Sequence, residues 1–191
     1  YTYTNANGCT NAATTNIVVN NITSVSAGTY AAVCVNGSSV TLSGSPSGGT
    51  FSGSGVTGNS FNPAAAGVGT KTITYTYTNA NGCTSSATTT ILVNALPVVN
   101  AGTYSQVCVN GAPVTLSGTP AGGTFSGTGV SGSSFNPATA GVGTKTVTYT
   151  YTDANGCTNS ANATINVMAL PVVSRSEEHT SELQSRQYLV C

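Results

Sequence analysis

A nine-residue motif that occurs three times constrains this chain more than any other feature. Tyr75-Thr-Tyr-Thr-Asn-Ala-Asn-Gly-Cys83 also stands at Tyr1–Cys9 and at Tyr149–Cys157, where Asp153 replaces the first Asn. The three starts are 74 residues apart, and a fixed period of this size indicates an array of like modules. We therefore expect 1–20 to be the last strands of a truncated repeat. Two complete repeats follow at 21–94 and 95–168, and 169–174 begins another linker.

Each repeat is predicted to be all-β. Lys71–Thr78 alternates Ile and Tyr with Thr, which indicates a strand with one buried face, and Asn-Ala-Asn-Gly supplies the turn after it. Further short strands are expected at 30–35, 40–43, 49–52, 60–62 and 84–93. This spacing, without a helical period, favours a β-sandwich. The predicted core comprises Val33, Val40, Leu42, Phe51, Phe61, Ile73, Tyr75, Tyr77, Ile91 and Val93, and then Val107, Val114, Leu116, Phe125, Phe135, Val147, Tyr149 and Tyr151.

The charge of the chain is concentrated in its last seventeen residues. Up to residue 174 the charged side chains are Lys71, Lys145 and Asp153. The segment 175–191 instead carries two Arg, three Glu and the single His, and its beginning resembles the translation of a common sequencing adapter. We exclude 175–191, with His179 and Cys191, from the interpretation of fold and function.

The remaining composition argues against several classes of function. A net charge near zero provides no electrostatic footprint for nucleic acid, and no apolar run is long enough for a membrane-spanning helix. Acid–base catalysis needs paired titratable groups, and Asp153 alone could not build a calcium site. We therefore predict no catalytic, cofactor-binding or metal-binding residue. Lys71 and Lys145 open equivalent strands and are interpreted as solvated side chains rather than as isopeptide partners.

Glycines at 53–58 and 127–132 match the pattern G-x-G-x-x-G. A dinucleotide site requires a helix directly after these glycines, and Asn59-Ser-Phe-Asn-Pro63 cannot start a long one. A bend between two strands is the better interpretation.

The cysteines are expected to form disulfides. The predicted bonds are Cys34–Cys83 and Cys108–Cys157, one in each repeat, with Cys9 left for a partner upstream. Closing one such loop would stabilise a repeat by roughly 4 kcal/mol in the chain-entropy model. A bond between Cys9 and Cys34 is less favoured, because an extended strand and a linker separate them. The hairpin turns of a simple sandwich lie at opposite ends, so Cys34 would have to sit well inside its strand to reach Cys83.

The ordered motifs Val40-Thr-Leu-Ser-Gly, Gly-Gly-Thr-Phe-Ser-Gly, Phe61-Asn-Pro-Ala-Ala-Ala-Gly and Ile73–Cys83 resemble the Ig-like and PKD-like repeats of very large Bacteroidetes surface proteins. Such proteins often end in a gliding-motility-associated or type IX secretion sorting domain. The resemblance covers 1–174 and implies a secreted or surface-attached protein in which neighbouring repeats form a stalk or an adhesin. Two alternatives stay open. One is a module that binds polysaccharide or protein, for which Tyr30 and Tyr104 are the candidate exposed aromatic residues, and the other is a set of spacer repeats in a secreted hydrolase.

Overall fold

The computed structural model describes residues 1–173, and this part of the chain is all-β apart from two helices of four residues each. The predicted fold class, all-β with β-sandwich modules, is confirmed. The segment 175–191, interpreted as an adapter translation, lies outside the described residues. The elements, in chain order, are β1 (Thr2–Thr4), β2 (Thr10–Ala12), β3 (Val33–Cys34), β4 (Val40–Thr41), β5 (Thr50–Ser52), β6 (Val56–Thr57), β7 (Ser60–Phe61), α1 (Pro63–Ala66), β8 (Gly69–Thr78), β9 (Thr84–Asn94), β10 (Val107–Cys108), β11 (Val114–Thr115), β12 (Thr124–Ser126), β13 (Val130–Ser131), β14 (Ser134–Phe135), α2 (Pro137–Ala140), β15 (Gly143–Thr152) and β16 (Thr158–Met168).

The chain divides into two compact units. The first contains Tyr1–Val33 and Gly37–Val93, and the second contains Cys34–Asn36 together with the described residues from Asn94 to Val173. One four-stranded sheet has the order β3-β9-β8-β5, and its three-stranded partner has the order β4-β7-β6. The corresponding sheets later in the chain, β10-β16-β15-β12 and β11-β14-β13, repeat this topology strand for strand.

A long antiparallel hairpin is the centre of each four-stranded sheet. β8 and β9 pair from Gly69 opposite Val93 to Thr78 opposite Thr84, and β15 and β16 repeat this register. Ile73 and Tyr75 are buried and Thr72 and Thr78 are exposed, as the alternation predicts. One face of the hairpin, with Ile73 and Tyr75, is therefore apolar and packs towards the three-stranded sheet.

The core of the second unit lies between its two sheets. Buried side chains from both sheets form one cluster, which consists of Leu116, Phe135, Ala140, Val147, Ile165 and Val167. Val107, Val114 and Phe125, also expected in the core, pack against this cluster while half-buried. The predicted core is thus confirmed in its centre and is more open at its edges.

The turn of each hairpin is organised by one Asn or Asp side chain. Asn79 Oδ1 accepts hydrogen bonds from the N–H groups of Asn81 at 3.0 Å and Cys83 at 2.9 Å. Asp153 Oδ1 does the same for Asn155 at 2.9 Å and Cys157 at 2.8 Å. A short polar side chain that bonds its own backbone two residues further on is the mechanism of an Asx turn.

In the first unit the same Asn side chain also fastens the segment that leads into the unit. Asn79 Nδ2 donates to Asn21 O at 3.4 Å and to Thr23 Oγ1 at 3.3 Å. Asp153 has no N–H to donate, and in the second unit Asn159 Nδ2 donates instead to Pro97 O, at 2.9 Å.

The two short helices were not predicted. Asn62 Oδ1 accepts from the N–H groups of Ala64 and Ala65, and Pro63 occupies the first helical turn. An Asn cap followed by Pro at the first position is a common helix start, so the signal was present in the sequence. The helix ends after one turn at Gly67, whose φ of 77° favours glycine.

The disulfide pairing differs from the predicted one. Cys34 is bonded to Cys157, with Cα atoms 5.5 Å apart and a sequence separation of 123 residues. Because residues 34–36 group with the second unit, this bond lies inside that unit. Cys83 and Cys9 are free thiols. The prediction of a Cys34–Cys83 bond is therefore wrong, and so is the prediction of a Cys108–Cys157 bond, because Cys157 is bonded to Cys34.

Strand order is the physical reason for this correction. β10 pairs in parallel with the end of β16, which puts Cys108 opposite Met168, whereas Cys157 stands just before the start of β16. β16 is 11 residues long, and at about 3.3 Å per residue its ends are roughly 35 Å apart. Bridged cysteines need Cα atoms within about 7 Å, so neither repeat can close its own pair.

Candidate functional site

The second unit has a groove of about 530 Å³. Glycine backbone at 118, 122 and 123 forms much of its wall, and Phe125 and Tyr149 form its floor. Ser117, Thr124 and Ser133 contribute hydroxyl groups at its edge. None of these lining side chains carries a charge.

The first unit has the same groove, 74 residues earlier and about 140 Å³ in volume. The same residue type lines both grooves at seven equivalent positions, which in the first unit are Leu42, Ser43, Gly44, Gly48, Gly49, Phe51 and Tyr75. Ser47 and Asn59 are replaced by the smaller Ala121 and Ser133 in the second unit, the direction expected for a wider groove.

A buried tyrosine shapes the floor of each groove. Tyr149 is 2% exposed, and its hydroxyl accepts from Gly123 N–H at 2.7 Å and donates to Pro120 O at 2.6 Å. Its ring lies 4.5 Å from that of Phe125, centroid to centroid, with planes tilted by 40°. Tyr75 repeats this arrangement with Gly49, Pro46 and Phe51.

Glycine is required where the groove wall crosses this ring. A Cβ atom on Gly118 would lie 2.5 Å from the Tyr149 ring, and one on Gly123 would lie 2.4 Å from Thr150 O. Such distances are far below van der Waals contact, so any side chain there would displace the tyrosine. At these positions the wall is therefore formed by backbone rather than by side chains.

The two tyrosines considered as exposed ligand contacts are structural instead. Tyr30 is half-buried, and its hydroxyl donates to Ala27 O and accepts from Ser43 N–H, each at 2.9 Å. Tyr104 repeats these contacts with Ala101 at 2.7 Å and Ser117 at 3.1 Å. Each tyrosine fastens an early segment to the neighbouring chain, and neither hydroxyl is available to a ligand.

The glycine-rich segments 53–58 and 127–132 form bends that contain a short strand each, β6 and β13. Val56 N–H bonds Gly53 O at 3.2 Å, and the next helix, α1, begins only at Pro63 and has four residues. The prediction of a bend rather than a dinucleotide site agrees with this geometry.

Residues 1–173 were also considered as a metal-binding or membrane-spanning region, and their side chains and helices fit neither. No group of three or more His, Cys, Asp or Glu side chains could hold a metal ion there, and no helix within those residues is long and apolar enough to cross a membrane.

The fold and the grooves define a class: all-β, β-sandwich units with a repeated neutral groove. No family model matches the chain, and no curated protein matches it. Among solved structures, it is similar to SGBP-B of the Bacteroides ovatus mixed-linkage glucan utilization locus, in complex with a mixed-linkage heptasaccharide. The identity is 19%, the TM-score is 0.27, and the match covers 74% of this chain and 43% of that one. A likeness of this size carries no argument about function.

Proposed function

We propose that residues 1–168 are tandem Ig-like, PKD-like repeats of a secreted or cell-surface bacterial protein, in which they serve as a non-catalytic stalk or adhesin region. The proposed boundaries are 1–20, 21–94 and 95–168. The recurrence of the whole module carries this proposal, since strand order, hairpin register, capped helix and buried tyrosine all repeat at 74 residues. Repeats of this kind are the units of quasi-one-dimensional arrays.

The disulfide supports an extracellular location. Bonds such as Cys34–Cys157 persist in secreted and surface proteins, whereas cytosolic thiols are kept reduced. The resemblance to Bacteroidetes surface repeats implies the same location and suggests export by the type IX route.

Force spectroscopy on the whole chain tests the stalk role. Under reducing conditions we expect two unfolding events of equal size, each releasing about 250 Å of contour length for a 74-residue repeat at about 3.4 Å per residue. Under oxidising conditions the Cys34–Cys157 bond should shorten the total extension, because the chain between these cysteines cannot be stretched. A chain that extends without a force peak in either condition would not bear load, and the stalk role would be rejected.

The repeated groove favours a second candidate, a module that binds a neutral oligosaccharide. Hydroxyl groups, backbone amides and a half-buried aromatic ring are the groups that small polar ligands use in concave sites, and the lining of the groove in the second unit carries no charge that would select an ionic ligand.

Two reciprocal substitutions test this candidate against a passive stalk. In a screen of neutral oligosaccharides, the whole chain should bind saturably, and Ser133→Asn should weaken binding at least tenfold because it narrows the wide groove. Asn59→Ser should strengthen binding by opening the narrow groove. Both residue types already occur at the equivalent position of the other unit, so both variants should fold. Absence of saturable binding, or binding unaffected by both changes, would leave only the stalk.

A further inference from the structure

The free thiol of Cys83 stands where the second unit has a disulfide. Cys157 is fully buried, and its Sγ is bonded to that of Cys34. The equivalent Cys83 is half-buried and free. The first unit therefore contains Cys83, which we call its acceptor cysteine, but no counterpart of the segment Cys34–Asn36 that bonds Cys157 in the second unit.

The acceptor turn has the same conformation in both units. Asn79 N–H bonds Cys83 O at 3.0 Å, and Asp153 N–H bonds Cys157 O at 3.0 Å. The N–H groups of Cys83 and Cys157 bond the side-chain oxygen of that Asn or Asp at 2.9 and 2.8 Å. The backbone is therefore held alike on both sides of Cys83 and of Cys157.

The segment that supplies the partner cysteine is Cys34–Asn36, and its sequence recurs in the second repeat. Residues Cys34–Asn36 are grouped with the second unit, and besides the disulfide Asn36 Nδ2 donates to Thr158 O at 3.5 Å. The sequence Cys-Val-Asn occurs again at 108–110. Val35 N–H bonds Asn94 O and Val109 N–H bonds Met168 O, each at 2.9 Å, so the two copies occupy the same edge of their sheets.

We propose that Cys83 is a cross-linking site for the Cys-Val-Asn segment of a preceding copy of the repeat. Its partner cysteine stands 123 residues upstream, the separation of the observed bond. If every turn cysteine in an array bonds the cysteine 123 residues upstream, the array contains one disulfide for every 74 residues. The inference rests on the repeated module and goes beyond the proposed stalk or adhesin role, which has its own test.

The step is an ordinary thiol–disulfide exchange. Cys83 and the upstream cysteine each lose a proton and together lose two electrons, which pass to an oxidised protein dithiol or to glutathione disulfide. The oxidant leaves as two thiols, and an S–S bond joins the two protein sulfurs.

The full chain can be extended to supply the missing partner. Joining a copy of residues 21–74 directly ahead of Tyr1 completes a repeat with 1–20 and places a cysteine 123 residues before Cys83, as in the observed bond. After refolding in a glutathione redox buffer, free thiols are alkylated and the chain is digested with chymotrypsin for mass spectrometry. Alkylation of Cys83 should fall at least tenfold relative to the unextended chain, and a peptide that joins it to the added cysteine should appear.

One control and one contrary outcome determine the interpretation. In the extended chain with its added cysteine changed to serine, Cys83 should be alkylated as in the original chain. If Cys83 in the extended chain stays fully alkylated, or is bonded mainly to Cys9, the proposal is wrong.

A second measurement does not depend on folding of the added segment. In the Cys34→Ser variant of the original chain, Cys157 becomes a free thiol, and its turn has the same hydrogen bonds as the turn that contains Cys83. If the two acceptors are equivalent, iodoacetamide should alkylate both at rates within about threefold. A Cys157 more than tenfold slower would show that its own unit covers it, and would overturn the equivalence on which the proposal rests.

Discussion

The hydroxyl of Tyr149 is a single atom whose removal has a calculable cost. Tyr149→Phe keeps the ring and its contact with Phe125 but leaves Gly123 N–H without an acceptor. An unsatisfied buried donor costs about 1–3 kcal/mol. Gly123 is half-buried, and Pro120, whose carbonyl loses a donor, is exposed and can bond water. We therefore expect the free energy of unfolding to fall by about 1–2 kcal/mol.

Calorimetry on the full chain measures this effect. A change of 1 kcal/mol shifts Tm by roughly 4–8 °C in a domain of this size, so the transition of the second unit should move down by roughly 5–15 °C. Tyr151→Phe is the matched control, since Tyr151 lies two residues along the same strand, is half-buried, and its hydroxyl makes no hydrogen bond in residues 1–173. Its effect should stay within about 0.5 kcal/mol. Equal shifts for the two variants would refute the reasoning.

Three further changes follow from the same structure. Gly118→Ala should destabilise the second unit by about 1–3 kcal/mol or more, because its Cβ would lie 2.5 Å from the Tyr149 ring; urea denaturation would show a lower midpoint, and an unchanged midpoint would contradict the contact. Asn136→Ala should cost about 1 kcal/mol by uncapping α2, and Asn136→Asp, which keeps the acceptor, should recover most of it. Reduction of Cys34–Cys157 should remove about 5 kcal/mol in the chain-entropy model for a 123-residue separation, so a chain equally stable with and without reductant would contradict that model.

The elements that could be predicted from sequence are those with a period. β8 and β15 alternate more buried and less buried residues over the first eight of their ten positions, and that pattern specifies a half-buried strand without reference to the rest of the fold. β6 and β13 have two residues each, too few for any period, and their glycine flanks suggested only a bend. The first predicted strand, 30–35, is reduced to β3 because Tyr30 bonds Ala27 O and Ser43 N–H outside the ladder.

The grooves and the disulfide could not be predicted for a different reason. Both depend on which strands are neighbours, and local sequence does not specify neighbours. The glycine pairs at 48–49 and 122–123 were visible, but their role depends on a tyrosine 26 residues further on, which bonds Gly49 and Gly123. The cysteine spacing was visible too, and the parallel pairing of β10 with β16 separated the expected partners.

The segment that leads into each unit is held by Asn79 in the first unit and by Asn159 in the second. This difference has a consequence for how the sequences of such repeats can vary. In the first unit Asn79 bonds both the hairpin turn and the leading segment, so the position of Ser85 needs no donor, and the Ser85 hydroxyl is buried without a hydrogen-bond partner. In the second unit the equivalent position is Asn159, which donates to the leading segment in place of Asp153. Asp at the first position should therefore be accompanied by Asn at the second, whereas Asn at the first position is compatible with Ser, as at Ser85, or with Asn, as at Asn11. Near-identical repeats exchange sequence by recombination, and a crossover between the two positions would combine Asp with Ser. Such a hybrid would keep its turn but lose the side-chain donor that holds the segment in front of it, so crossovers in that short interval should be depleted.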